Sequence, residues 1–161
     1  RRTASKKGEH VGKAVALITG ASRGIGKGIA LELASHGYDI AGVATSLTSG
    51  IEDTKREVEA RGQRCLPVVA DVGKLESHPQ ITDEVIAAFG RIDVLVNNAG
   101  GQYFVPAEDI VAKGWGAVMR LNVEGTTRMI EAAAPVIQDG GSIVTVTVSP
   151  HHGVPAFRRR F

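Results

Sequence analysis

The chain has little of what small folds use for cross-linking. Cys65 is the one cysteine in 161 residues, so an intramolecular disulfide framework and a cysteine-rich zinc site are both excluded. Six prolines and glycines without a period exclude collagen-like and low-complexity chains. No apolar run approaches the ~18 residues of a membrane span. The basic start is not followed by an apolar leader core, so the expected location is the cytoplasm, with no membrane partner.

Positive charge is scarce where a nucleic-acid binder would need it. Residues 1–13 carry five positive side chains and one negative, and Arg158, Arg159 and Arg160 add three more. Residues 14–157 keep eleven positive against sixteen negative side chains, a net charge of −5. The basicity sits in the tails and not on a folded face, so no nucleic-acid partner is expected. The length matches about one domain at ~150 residues each. The expected division is a disordered basic tail over 1–10, one domain over 11–155 and a tail over 156–161.

Glycine is plentiful: 20 residues, above the roughly 7% of average usage. The glycines punctuate a repeating rhythm. Apolar runs at 14–19, 40–45, 65–72, 92–97 and 142–148 predict five strands. Helical patterns lie between them at 24–36, 51–61, 75–89 and 108–137, the last loosened by Gly114, Gly116 and Gly125. The strand runs alternate little, as expected where helices cover both faces of a parallel sheet. The predicted fold class is therefore α/β: a doubly wound parallel sheet in three layers. Such sheets bind ligands at the carboxyl ends of their strands. The unusual residues fall at those ends: Gly20–Gly26, Thr45–Ser46, Asp71, Asn97–Gly101 and Ser149.

The loop Gly20-Ala21-Ser22-Arg23-Gly24-Ile25-Gly26 joins a strand to a helix. Its glycines let the backbone approach a diphosphate, and the helix start offers free N–H groups. The same residues match G-x-S-x-G, the nucleophile elbow of an α/β-hydrolase. Ser22 would then attack, with Asp71 or Asp93 and His151 or His152 as partners. That reading leaves no earlier strand loop for an oxyanion hole. A P-loop fails, because Gly28 follows Lys27 where Ser or Thr is required. His151 and His152 lack a carboxylate cluster, so no metal site is expected. The end of the second strand, Ala44-Thr45-Ser46, has no carboxylate for a ribose 2′-hydroxyl. Arg23 offers a planar fork for a 2′-phosphate, which favours NADP(H) over NAD(H).

TGASRGIG at 19–26, Asp71-Val72, NNAG at 97–100 and Asn122-Val123-x-Gly125 resemble, in this order, the motifs of the short-chain dehydrogenase/reductase family. The first half is similar to 3-oxoacyl-acyl-carrier-protein reductases. NNAGGQYFVPAED and GGSIV resemble trans-2-enoyl-CoA reductases. The resemblance implies that Gly20, Gly24 and Gly26 line a diphosphate, with Ser22 and Ile25 in the same loop. It implies that Asp71 and Val72 meet the adenine, and that Asn98, Ala99 and Gly100 pass under the riboses. Asn97 and Asn98 would tie the fourth strand to its neighbour. Asn122 would hold a proton-relay water through a helix kink. Ser149 would be the substrate-binding Ser, although a gap-free comparison puts Val148 there.

The family's Tyr-x-x-x-Lys is not matched. Tyr38 and Tyr103 are the only tyrosines, and Ala107 stands where a Lys would follow Tyr103. The expectation is the cofactor-binding part of an NADPH-dependent reductase of acyl-thioester or similar carbonyl substrates, in fatty acid biosynthesis. It would lack the later strands and form a homo-oligomer, dimer or tetramer, in full-length form. An enoyl-thioester reductase or a non-catalytic dinucleotide-binding module are the alternatives. An exposed strand edge predicts association of the chain alone, which light scattering would report as a species larger than the monomer.

Overall fold

A computed structural model of the chain describes residues 12–147. The expectations for the two tails, and for Val148, Ser149, His151 and His152, lie outside those residues. Five strands form one wholly parallel sheet: β1 (Val15–Thr19), β2 (Asp39–Ala44), β3 (Cys65–Val69), β4 (Ile92–Asn97) and β5 (Ile137–Thr145), in the order β3-β2-β1-β4-β5. The helices are α1 (Gly24–Ser35), α2 (Ile51–Glu59), α3 (His78–Phe89), α4 (Ala112–Met119) and α5 (Gly125–Ala133). The doubly wound parallel arrangement read from the sequence is the one observed.

Every residue of β1 and β2 is buried, which explains why these runs show no polar alternation. Their side chains divide between two cores. Val15, Leu17, Val43 and Leu95 face α3 and α5, where they meet Ile81, Val85, Met129 and Ala133. Ala16, Ile18, Ile40 and Val96 face α1 and α2, where they meet Ala30, Ala34, Ile51 and Val58. Helix α1 presents Gly26, Ala30 and Ala34 to the sheet, a small-residue row at four-residue spacing that lets the helix lie close.

Two carboxylates at the amino ends of strands are held by arginines, and a further charged pair links two helices. Asp39 is 1% exposed and accepts from the Arg64 backbone N–H at 2.8 Å and from its Nε at 2.7 Å. Asp93 accepts from Arg91 Nε at 2.9 Å and from the Val15 backbone N–H at 2.8 Å. The Asp93 carboxylate raises the pKa of the Arg91 guanidinium. Lys27 on α1 reaches Glu57 on α2 at 2.7 Å and holds that carboxyl below the usual carboxylate range.

Several boundaries differ from the sequence reading: β3 ends at Val69 and not at 72, α2 ends at Glu59 and not at 61, α3 starts at His78 after a short turn at Leu75–Ser77, and two further departures are larger. The stretch 108–137 is not one helix. It comprises a short turn at Ala107–Asp109, α4, a π-helical turn at Arg120–Glu124, then α5. Asn122 is the physical reason for the break: its Nδ2 donates to the Val118 carbonyl at 2.8 Å and competes with the backbone ladder there. Strand β5 starts at Ile137, not Ser142, and ends at Thr145, not Val148. A register shift between Ile92 and Val94 accommodates the turn around Gly140. Among the described residues β5 is an edge strand with little burial, and its first part, 138–141, is polar and glycine-containing, which hid its start.

Cys65 on β3 is 8% exposed, and burial pushes its thiol up to about 12 from 9.0. The folded state thus keeps a proton that the unfolded chain loses above pH 9, so stability falls as pH rises between 9 and 12. Relative to Cys65→Ala, the wild type is expected to lose about 1.4 kcal/mol between pH 7 and pH 10, measured by urea denaturation.

Candidate functional site

The Gly-rich turn is held from both sides. Gly20 (φ +70°) and Gly24 (φ +56°) take left-handed backbone that other residues rarely adopt. The Gly20 and Ala21 N–H groups both donate to the Val43 carbonyl of β2, at 2.9 and 3.1 Å. Thr54 Oγ1 of α2 donates to the Ala21 carbonyl at 3.0 Å. From β4, Asn98 Nδ2 donates to the Thr19 carbonyl at 3.0 Å and to the Gly20 carbonyl at 3.2 Å. Thr19 Oγ1 accepts from the Asn98 and Ala99 N–H groups, both at 3.0 Å. Gly26 closes the arrangement, because a Cβ there would lie 2.2 Å from the Gly20 oxygen and 2.5 Å from Asn98 Nδ2.

This knot leaves the start of α1 facing solvent at the carboxyl end of β1. Arg23 is its N-cap residue, in extended backbone, with no side-chain cap bond. No acidic residue sits in the first turn, so the positive end of the helix dipole is not neutralised. Arg23, Gly24 and Ile25 are exposed and Ser22 is half-buried. The Arg23 carbonyl accepts from the Lys27 N–H at 3.2 Å, and its side chain makes no hydrogen bond or ion pair among the described residues. Such a helix start suits an anion.

The neighbouring strand ends add neutral polar groups. Thr45 and Ser46 follow β2, and Ser46 Oγ lies 3.1 Å from Thr48 Oγ1. Asp39, at the opposite end of β2, points away from this edge, as its pairing with Arg64 requires. Asp71 lies in the loop after β3 and not within the strand. Its Oδ1 accepts from the Gly73 N–H at 2.9 Å. Val72 is buried, and its carbonyl oxygen lies 2.5 Å from where a Gly125 Cβ would be, which seats α5 directly on this loop. After β4, Gly101 donates its N–H to Asn122 Oδ1 at 3.2 Å and accepts from Asn122 Nδ2 at 2.8 Å. A Cβ on Gly100 would lie 2.7 Å from Asn122 Oδ1.

The structure therefore brings Gly20, Gly26, Asn98 and Ala99 into one contact network, Gly100 and Asn122 into a second, and Val72 against Gly125. Asn98 ties β4 to β1 as expected. Asn97 does not do so through its side chain: the residue is 3% exposed, and neither amide atom has a partner among the described residues. That amide borders a small cleft shared with Thr19, Ala99, Leu121 and Thr126. Sequence reasoning gave Thr19 and Thr54 no role. Thr19 was legible as a hydroxyl on the last residue of a buried strand, but Thr54 carried no local signal.

The hydrolase alternative loses its geometry. No non-glycine residue among those described has positive φ, so Ser22 carries no elbow strain. Asp93 sits at the amino end of β4, engaged by Arg91 and Val15. Among the described residues no group of three His, Cys, Asp or Glu could hold a metal ion.

Gly26→Ala is expected to destabilise the fold by about 1–3 kcal/mol, because backbone must move to admit the methyl group. Asn98→Ala is expected to cost about 1–3 kcal/mol by stranding two carbonyls. Urea denaturation measures both, and an unchanged midpoint for either variant contradicts the knot.

Comparison with known proteins agrees with this geometry. A family model described as short chain dehydrogenase matches residues 14–157. The chain is 39% identical over 135 residues to 2-dehydro-3-deoxy-D-gluconate 5-dehydrogenase of Escherichia coli (strain K12), covering 82% of this chain and 52% of that protein. It is 35% identical over 141 residues to peroxisomal 2,4-dienoyl-CoA reductase of Danio rerio, covering 84% and 46%. A crystal structure of a short chain dehydrogenase from Burkholderia cenocepacia J2315 in complex with NADP superposes with a TM-score of 0.83 at 33% identity. That match covers 88% of this chain and 58% of the other. The chain spans about half the length of the curated relatives it matches. With its fold, its knot of Gly turn and Asn98, and a family match over nearly all described residues, the chain belongs to the short-chain dehydrogenase family.

Proposed function

We propose that the chain binds NADP(H) and belongs to an oxidoreductase that reduces a carbonyl of a small molecule. The observation that carries this reading is the start of α1. Its first turn is free of acidic residues, it is flanked by an Arg23 side chain with no partner among the described residues, and it is set where the Gly20–Gly26 turn interlocks with Asn98 and Ala99. The turn fits the group, because bare Cα atoms at Gly20 and Gly26 let it pack low against Asn98 and Ala99, and the exposed Gly24 leaves its outer side without a side chain. Ser22, Arg23, Gly24 and Ile25 would hold the phosphates. Thr45, Ser46 and Arg23 would meet the 2′-phosphate. Asp71 and Val72 would flank the adenine, and Asn98, Ala99 and Gly100 the riboses. The bound nicotinamide would supply a hydride.

The absence of a carboxylate after β2 supports NADP(H) over NAD(H), as does the NADP in the Burkholderia neighbour. Asn122 would act through the π turn at 120–124, where its amide already fixes Gly101 and Val118. Ser149 would polarise the substrate oxygen. The acyl-thioester substrate class draws support from the dienoyl-CoA reductase relative, which also keeps enoyl reduction as the second reading. A place in fatty acid biosynthesis and a cytoplasmic location belong to the same proposal. So does a dimeric or tetrameric assembly, which the exposed Trp115, Met119 and Val123 support.

Fluorescence titration with NADPH and NADH tests the reading. Saturable binding that favours NADPH is expected. Arg23→Ala should weaken NADPH by roughly tenfold, the cost of one charge-assisted contact, and leave NADH nearly unchanged. Equal affinity for both nucleotides, unaffected by the variant, contradicts the role of Arg23. No binding of either contradicts the site.

A further inference from the structure

The segment after β4 runs from Asn98 to Val111 with only a short turn at Ala107–Asp109 as regular structure. Its first part carries Gly100 and Gly101. Asn98 anchors its start and the Asn122 amide anchors Gly101. A third anchor lies two residues on. The Tyr103 ring rests on Gly114 of α4: a Cβ built on Gly114 would lie 2.5 Å from Tyr103 Cε1 and 2.6 Å from Cδ1. Gly114 is buried, whereas Tyr103 is 48% exposed. The ring therefore covers the helix with one side and leaves the other open to solvent.

Helix α4 pays for that contact in its own stability. Glycine in a helix interior is about 1 kcal/mol less favourable than alanine. Two of the eight residues of α4 are glycine, Gly114 and Gly116. At Gly116 a Cβ would meet nothing within 4 Å, so packing does not require glycine there. At Gly114 the Tyr103 ring occupies the place of a side chain. Any other residue at 114 must push the ring off the helix, which releases the hold on the backbone two residues from Gly101.

We propose that Tyr103 is a positioning residue, which uses the bare backbone of Gly114 to fix the Gly100–Gly101 segment at the height where the nucleotide's riboses would lie. The proposal deepens the dinucleotide reading and rests on it for its ligand. It needs the ring and not the hydroxyl, so Tyr103→Phe should behave as wild type.

The test pairs amide hydrogen exchange over Gly100–Tyr103 with NADPH titration, on the full chain. Gly114→Ala and Tyr103→Ala are expected to speed exchange of those amides and to weaken NADPH by roughly three- to thirtyfold, the range of second-site modulation. Tyr103→Phe and Gly116→Ala should match wild type in both measurements. Alanine favours the helix at both positions, and at 114 that gain offsets the displacement of a half-exposed ring, so Gly114→Ala should leave the urea midpoint near wild type, and a binding loss without a stability loss separates positioning from damage. Unchanged exchange in Gly114→Ala and Tyr103→Ala overturns the proposal. So does faster exchange with unchanged NADPH affinity. A wild type that binds no NADPH overturns the dinucleotide reading instead, and the anchor is then judged on exchange alone.

Discussion

The Asn98 side chain holds together two strand ends that lie 79 residues apart in sequence. Its amide nitrogen donates to the last carbonyl of β1 and to the first carbonyl of the Gly-rich turn, while the Thr19 hydroxyl oxygen accepts from the Asn98 backbone N–H. Buried backbone groups must be paired, and at the end of a strand the ladder no longer pairs them. The knot solves that problem at the centre of the sheet. Everything proposed for the nucleotide depends on it. Gly26, in the first turn of α1, can lie against the Gly20 carbonyl and the Asn98 amide only because it has no side chain, and that contact sets where α1 leaves the turn.

The two ends of the sheet have been given different chemistry. At the amino ends, Asp39 and Asp93 take backbone N–H groups and arginine forks, so the carboxylates are neutralised and out of play. At the carboxyl ends the polar atoms are hydroxyls, amides and backbone groups, with Asp71 the exposed carboxylate after β3. A polyanion approaching the second end meets a helix start and an arginine. The division follows from the parallel sheet, because parallel strands put all their carboxyl ends on one side.

Much of the fold was legible because buried parallel strands print themselves as apolar runs bounded by glycine. β4 was read to the residue and α1 nearly so. The reading failed where a side chain competes with the backbone. Asn122 spends its amide on Val118 and Gly101, and no periodicity reveals that a helix will widen into a π turn there. It failed also at the start of β5, because Gln138-Asp139-Gly140-Gly141 reads as a polar turn and not as part of a strand. The Gly turn and Asn98 were readable as a pair of motifs, but their mutual hydrogen bonds were not. Thr54 and Gly114 were invisible for the same reason: each matters through a contact outside its own element.

The strand order puts the first strand of the chain at the middle of the sheet, between β2 and β4. β1 can pair early with β2, which follows after one helix. Its other edge stays open until the chain has supplied residues 92–97, because β4 pairs there. Parallel pairings over such separations are slow to form, since a long loop must close before any contact rewards it. The Gly-rich turn is then a late product of folding: its amino half exists once β2 docks, and its Asn98 half only when β4 arrives. Occupancy of the nucleotide site would therefore report on the completed sheet, and a ligand that recognises it would act as a check on assembly.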